Sequence, residues 1–199
     1  MDLISIHIPK TAGTSFRNTL QEEYGANNVK ACYKGVGANL TKENIGNIKC
    51  LHGHITPEMF IARFPEAKVI TWVRDPLERI KSYYYYNKYT RNDGVSRGMQ
   101  KYNTFMDWVN SDGSDYMINE ISPYLNLDNI KLFDFIGFVD DYDNELKRLS
   151  DMMGWKPLKK FTTNKSNKKE NIILSEDDMN IIKKKFHIEY ELYEVLKNK

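Results

Sequence analysis

Three short stretches carry side chains whose types and spacing could do chemistry. In the first, Pro9-Lys10-Thr11-Ala12-Gly13-Thr14-Ser15, a cation, small residues and hydroxyls follow an apolar strand pattern and lead into helix-like sequence. A strand feeding a tight turn and a helix N-terminus aims backbone N–H groups at one spot, and the helix dipole favours an anion there. Lys10 adds a mobile positive charge, and Thr11, Thr14 and Ser15 add hydroxyl donors. The chemistry implied is phosphate binding. The loop is not G-x-x-x-x-G-K-[ST], because its lysine opens the turn and it holds one glycine. An ordinary strand–helix connection with a surface lysine is the plainer alternative.

The second stretch runs from Val73-Arg74-Asp75-Pro76 to Ser82-Tyr83-Tyr84-Tyr85-Tyr86. Arg74 ends an apolar strand pattern, where a guanidinium fork suits bidentate phosphate binding. Ser82 follows about two helical turns later and could place a hydroxyl near the same anion. The tyrosines read as packing residues. The third stretch is His52-Gly53-His54. On an extended segment its two imidazoles face one side, glycine leaves room between them for a ligand, and imidazole is the natural general base near neutral pH. Cys50 shares the parity, so a Cys-x-His-x-His metal site competes with this reading; it would need a fourth ligand or a water. His7 and His187 lack such neighbours in sequence and read as packing residues.

These residues need strands and helices to position them. The 199 residues suit a single domain, 1–199, with an ordinary globular composition of 41% hydrophobic and 28% charged residues. A net charge of +2 gives no reason to invoke nucleic acid. Two cysteines make no disulfide framework, and there is neither a signal-peptide pattern nor a membrane span, so a cytoplasmic protein is expected. Strands are expected at 3–8, 48–53, 67–73 and 133–139, and helices at 14–24, 56–64, from 75 onward and at 141–153. A last helical region starts at Ser175 and breaks near His187. Residues 25–47, 90–100 and 156–171 read as loops. Alternating strands and helices give an α/β fold, a largely parallel sheet flanked by helices. Ligands in such folds bind at the carboxyl ends of strands, and all three stretches fall there.

Taken together, the three stretches resemble the carbohydrate sulfotransferases that use 3′-phosphoadenosine 5′-phosphosulfate (PAPS), in particular the uronyl and heparan sulfate 2-O-sulfotransferase branch. His7 to Phe16 is similar to the family's 5′-phosphosulfate loop, Arg74 to Arg79 with Ser82 to its 3′-phosphate motif, and His52-Gly53-His54 to the histidine pair of the 2-O branch. The resemblance implies a P-loop-like sulfotransferase fold with PAPS as cofactor and no metal. It implies that Lys10 meets the breaking bond and that the backbone from Thr11 through Ala12, Gly13 and Thr14 to Ser15 holds the 5′-phosphate. Arg74 and Ser82 would bind the 3′-phosphate. His54 would be the main base, with His52 assisting or orienting the acceptor, and a basic loop bearing Lys165, Ser166 and Lys168 would cover the nucleotide. The partner implied is a hydroxyl-bearing carbohydrate; an acidic sugar is the version that Arg91, Arg97 and Lys101 could meet. A P-loop small-molecule kinase and a non-catalytic nucleotide- or glycan-binding module are the alternatives. Mg²⁺-dependent ATP turnover would favour the first, and binding without turnover the second.

Overall fold

The apolar run Leu3–Ile6 forms β1, the middle strand of a five-stranded parallel sheet. In this computed structural model, which describes residues 1–35, 39–161 and 171–198, the chain falls into two compact units. The first is Met1–Arg74 with Pro123–Thr163, and the second is Asp75–Ser122 with Asn164–Lys199.

The first unit holds the whole sheet: β1, β2 (Val29–Cys32), β3 (Cys50–Gly53), β4 (Lys68–Val73) and β5 (Phe135–Phe138), in the order β2-β3-β1-β4-β5. Within residues 25–47, read as loop, lies β2, a short edge strand with one apolar residue at each end. From β1 the chain crosses toward β2, whereas β4 is followed in the sheet by β5 on the other side. Opposite exits from neighbouring strands mark the place where α/β sheets bind ligands.

Side-chain parity divides the core in two. Leu3, Cys50, Ile70 and Trp72 face one side, against Phe16 and Leu20 of α1 (Gly13–Tyr24) and Leu146 and Leu149 of α6 (Tyr142–Met153). Ile4, Ile6, Leu51 and Val69 face the other, against Phe60 of α2 (Pro57–Ile61). Burying a Phe16- or Leu20-sized side chain stabilises the fold by about 1.5–3 kcal/mol, so α1 is held firmly by its own apolar stripe. Gly25 (φ 84°) ends α1, and Gly154, left-handed at φ 67°, ends α6.

The second unit is helical. α3 (Pro76–Tyr85) opens on Asp75, whose carboxylate accepts from Glu78 N at 3.0 Å, with proline at its first position. Residues 90–100, read as loop from their glycines and charges, contain α4 (Gly94–Met99), capped by Asp93 on the amides of Val95 and Ser96. α5 (Phe105–Val109) follows. Then α7 (Glu176–Lys185), with a Ser175–Asp178 capping box, and α8 (His187–Lys197) close the unit with the expected break between them. Ile80, Tyr84, Phe105, Trp108, Ile182 and Phe186 form its core, so Tyr84 packs as its sequence implied. Among the described residues no helix is long and apolar enough to cross a membrane.

Candidate active site

The loop between β1 and α1 carries the most unusual backbone of the first unit. Lys10 (φ 70°) and Ala12 (φ 60°, ψ 17°) both sit in the left-handed region, at about 1–2 kcal/mol each for residues with a Cβ. Thr11 between them is buried and donates its hydroxyl to Ile8 O at 2.8 Å. Its hydroxyl proton therefore holds the turn together and is not a ligand donor, which differs from the part its sequence suggested. α1 starts with no side-chain cap, and its first backbone bond runs from Phe16 N–H to Ala12 O at 3.0 Å. Helix geometry leaves the amides of Gly13 and Thr14 without carbonyls one turn back. A left-handed residue leading into the right-handed first turn of a helix, as Ala12 does here, is a backbone pattern that can make an anion-binding concavity.

Parallel pairing brings β3 alongside. Ser5 is in register with His52 and Ile6 with Gly53, and His7 N–H donates to Gly53 O at 2.7 Å. His52 is buried, with Nε2 3.0 Å from Gly13 O and Nδ1 2.9 Å from Ser5 Oγ. A carbonyl only accepts, so Nε2 carries the hydrogen and Nδ1 takes the one from Ser5. Burial above all holds the His52 pKa down to about 3. With both nitrogens engaged, His52 ties β1, β3 and the start of α1 together and has no lone pair left for an acceptor. Nor does Gly53 open space for a ligand: a Cβ there would collide with the Cys32 carbonyl of β2. The glycine is needed for close strand approach.

His54 is different. It lies just past β3, under a tight turn closed by Ile55 N–H to Gly53 O at 3.0 Å. It is exposed, and its ring makes no hydrogen bond among the described residues. Tyr33 meets it edge-on at 4.8 Å between centroids, and Tyr124 lies at 5.9 Å. Burial of part of the ring lowers its pKa below the ordinary 6.5.

His7, isolated in sequence, stands in the middle of this cluster. Its ring stacks on His52 (5.3 Å, 15°), lies 4.8 Å from His54, and pairs through Nδ1 with the Tyr33 hydroxyl at 3.0 Å. Burial first, then the neighbouring histidines, Lys10 and Arg17, push its pKa well down. Burial pushes the Tyr33 phenol up to about 12, against the pull of Arg17. Gly13 makes the stacking possible, since a Cβ on it would overlap the His7 ring. Neither His7 nor Tyr33 was legible as a site residue. The signal was the strand register, which places His7 beside His54 once Ser5 pairs with His52.

Of the remaining sequence candidates, Arg74 directly follows β4, half-buried at the carboxyl edge where the β1 loop also starts. Thr14 and Ser15 occupy the first turn of α1. Ser82 lies half-buried on α3, in the second unit. Lys165, Ser166 and Lys168 lie outside the described residues. Cys50 is fully buried, and among the described residues no group of three or more His, Cys, Asp or Glu side chains is placed to hold a metal ion.

Residues 1–194 match the family model described as "Sulfotransferase family". No curated protein matches the sequence. Among solved structures, mouse sulfotransferase SULT7A1 complexed with PAP is similar at a TM-score of 0.52 and 13% identity, over 93% of this chain and 63% of that one. The chain thus spans less than two thirds of that protein's length. At this identity the likeness speaks for the fold, the P-loop-like α/β arrangement expected from the motifs.

Proposed function

The chain belongs to the sulfotransferase family, and from that premise we propose that it moves the sulfuryl group of PAPS to a hydroxyl of a carbohydrate acceptor, with His54 as general base. One observation carries the reading. On one edge of one sheet, a left-handed anion loop bearing Lys10 stands beside an imidazole whose nitrogens are unengaged among the described residues. That the similar mouse structure is a complex with PAP supports the choice of nucleotide.

The residues fit such a cofactor. The uncapped first turn of α1 and the strained loop supply amides for a 5′-phosphate, with Thr14 and Ser15 beside them. Arg74, at the end of β4, suits the 3′-phosphate. When bound, PAPS supplies an activated sulfur–oxygen bond whose cleavage leaves charge on the phosphate. Lys10 answers that charge, and fixed amides do so without reorganising. His54 removes the acceptor's proton: its lowered pKa keeps the ring neutral at pH 7. His52 acts as a positioning residue, its Nε2–H on Gly13 O fixing the start of α1 against β3.

Transfer of labelled sulfate from PAPS to a panel of hydroxyl-bearing glycans tests the reading. His54→Ala is expected to lose about 10²–10⁴-fold in rate, with thermal unfolding unchanged. Full transfer by that variant would remove His54 from the mechanism.

A further inference from the structure

Among the described residues, Arg17 of the first unit has a buried Nε without a hydrogen-bond partner. Arg17 lies on α1 one helical turn after Gly13, so the two share a face. That face is the histidine side: Gly13 O takes the His52 hydrogen, and the His7 ring fills the place of a Gly13 Cβ. Among the described residues no carboxylate pairs with the guanidinium. Its charge is felt at His7 and Tyr33, whose rings contact the base, and at His52, on which His7 stacks. Its buried Nε–H is one donor without an acceptor, which a ligand oxygen would supply. Nothing in the sequence singled it out.

We propose that Arg17 is a sulfuryl-binding residue, its guanidinium donating to a non-bridging oxygen of the group being transferred. This rests on the cofactor reading above. In the step it serves, the bond between sulfur and the bridging oxygen breaks, and its electron pair stays on the 5′-phosphate. The acceptor oxygen forms the new bond to sulfur and gives its proton to His54. The sulfuryl oxygens carry negative charge throughout, and Lys10 is occupied with the departing phosphate. A second cation on the histidine side keeps the sulfuryl group on the line between donor and base. Lysine could not replace it fully, because only the planar fork presents donors in a fixed direction.

Calorimetric titration with two nucleotides separates the possibilities. Adenosine 3′,5′-bisphosphate has both phosphates and no sulfuryl group, whereas PAPS has all three. Arg17→Gln is expected to weaken PAPS binding by about 10–100-fold, the range of a hydrogen bond to a charged group, and to leave the bisphosphate unaffected. Arg17→Lys should recover part of the loss, and unchanged thermal unfolding of both variants would show intact folds. Equal weakening of both nucleotides, or of neither, overturns the assignment. So does unchanged PAPS affinity with a raised acceptor KM, which would put Arg17 on the acceptor. Wild-type protein that binds neither nucleotide refutes the cofactor reading itself, and this assignment with it.

Discussion

Arg79 in the second unit and Arg17 in the first are both arginines on helices, yet their surroundings are opposite. Arg79 is fully buried and has a complete set of partners. Its Nε and Nη2 meet the two oxygens of Glu189, and Nη1 lies 2.8 Å from Glu120 Oε2. Burial works against its charge, but Glu189 and then Glu120 more than offset this and keep it protonated. Arg17 stands near the His7 and His52 imidazoles and the Tyr33 phenol, its Nε buried without a hydrogen-bond partner and with no carboxylate pairing among the described residues. The first arrangement is finished and holds α3 to α8; the second is complete only with an anion. A cation's partners thus separate an architectural arginine from one that awaits a ligand, although the two look alike in sequence.

Arg79→Met puts the largest strain on that contrast. It leaves two carboxylates in and near the core without their cation and should destabilise the protein by about 3–5 kcal/mol in urea unfolding. Arg17→Gln should change stability by no more than about 0.5 kcal/mol. Equal losses would mean that Arg17 is architectural too.

The histidine end should also be the acid-sensitive one. His52 has a folded pKa of about 3 against an ordinary 6.5, so below pH 6.5 the unfolded chain binds a proton that the folded chain refuses. Its neutral-ring contribution is intact above pH 6.5 and is lost as the pH falls toward 3, at about 1.4 kcal/mol per unit from this group. His52→Asn should flatten that part of the curve, and a wild-type urea midpoint that stays level from pH 6.5 to 4 would contradict the burial reading.

Smaller again is Gly13→Ala. A methyl there overlaps the His7 ring, and overpacking costs about 1–3 kcal/mol. The transfer rate should fall with it, because His7 and Tyr33 brace His54. Retained activity would mean that the stack is not what holds the base.

Much of the candidate site was legible because local chemistry wrote it. Lys10 to Ser15 has the composition of an anion loop, Arg74 ends a continuous apolar strand, and Asp75-Pro76 and Ser175 with Asp178 cap helices as their types require. What escaped depends on register and proximity. His7 has meaning only once β1 lies against β3. His52 and His54 look equivalent in sequence, but Ser5 and Gly13, 47 and 39 residues away, take up both nitrogens of one and leave the other. Gly53 answers to the β2 backbone, and β2 itself was hidden in a polar, glycine-rich stretch. Arg17 and Arg79 could not be told apart because their partners, or the lack of them, are set by tertiary structure.

Titration of the full chain with adenosine 3′,5′-bisphosphate, in buffer with a chelator, tests the central claim most directly. The account predicts saturable binding to the wild type, weakened about 10-fold or more by Lys10→Met and by Arg74→Ala while both variants keep the wild-type unfolding midpoint. Absence of binding to the wild type, or binding that neither substitution affects, would contradict it.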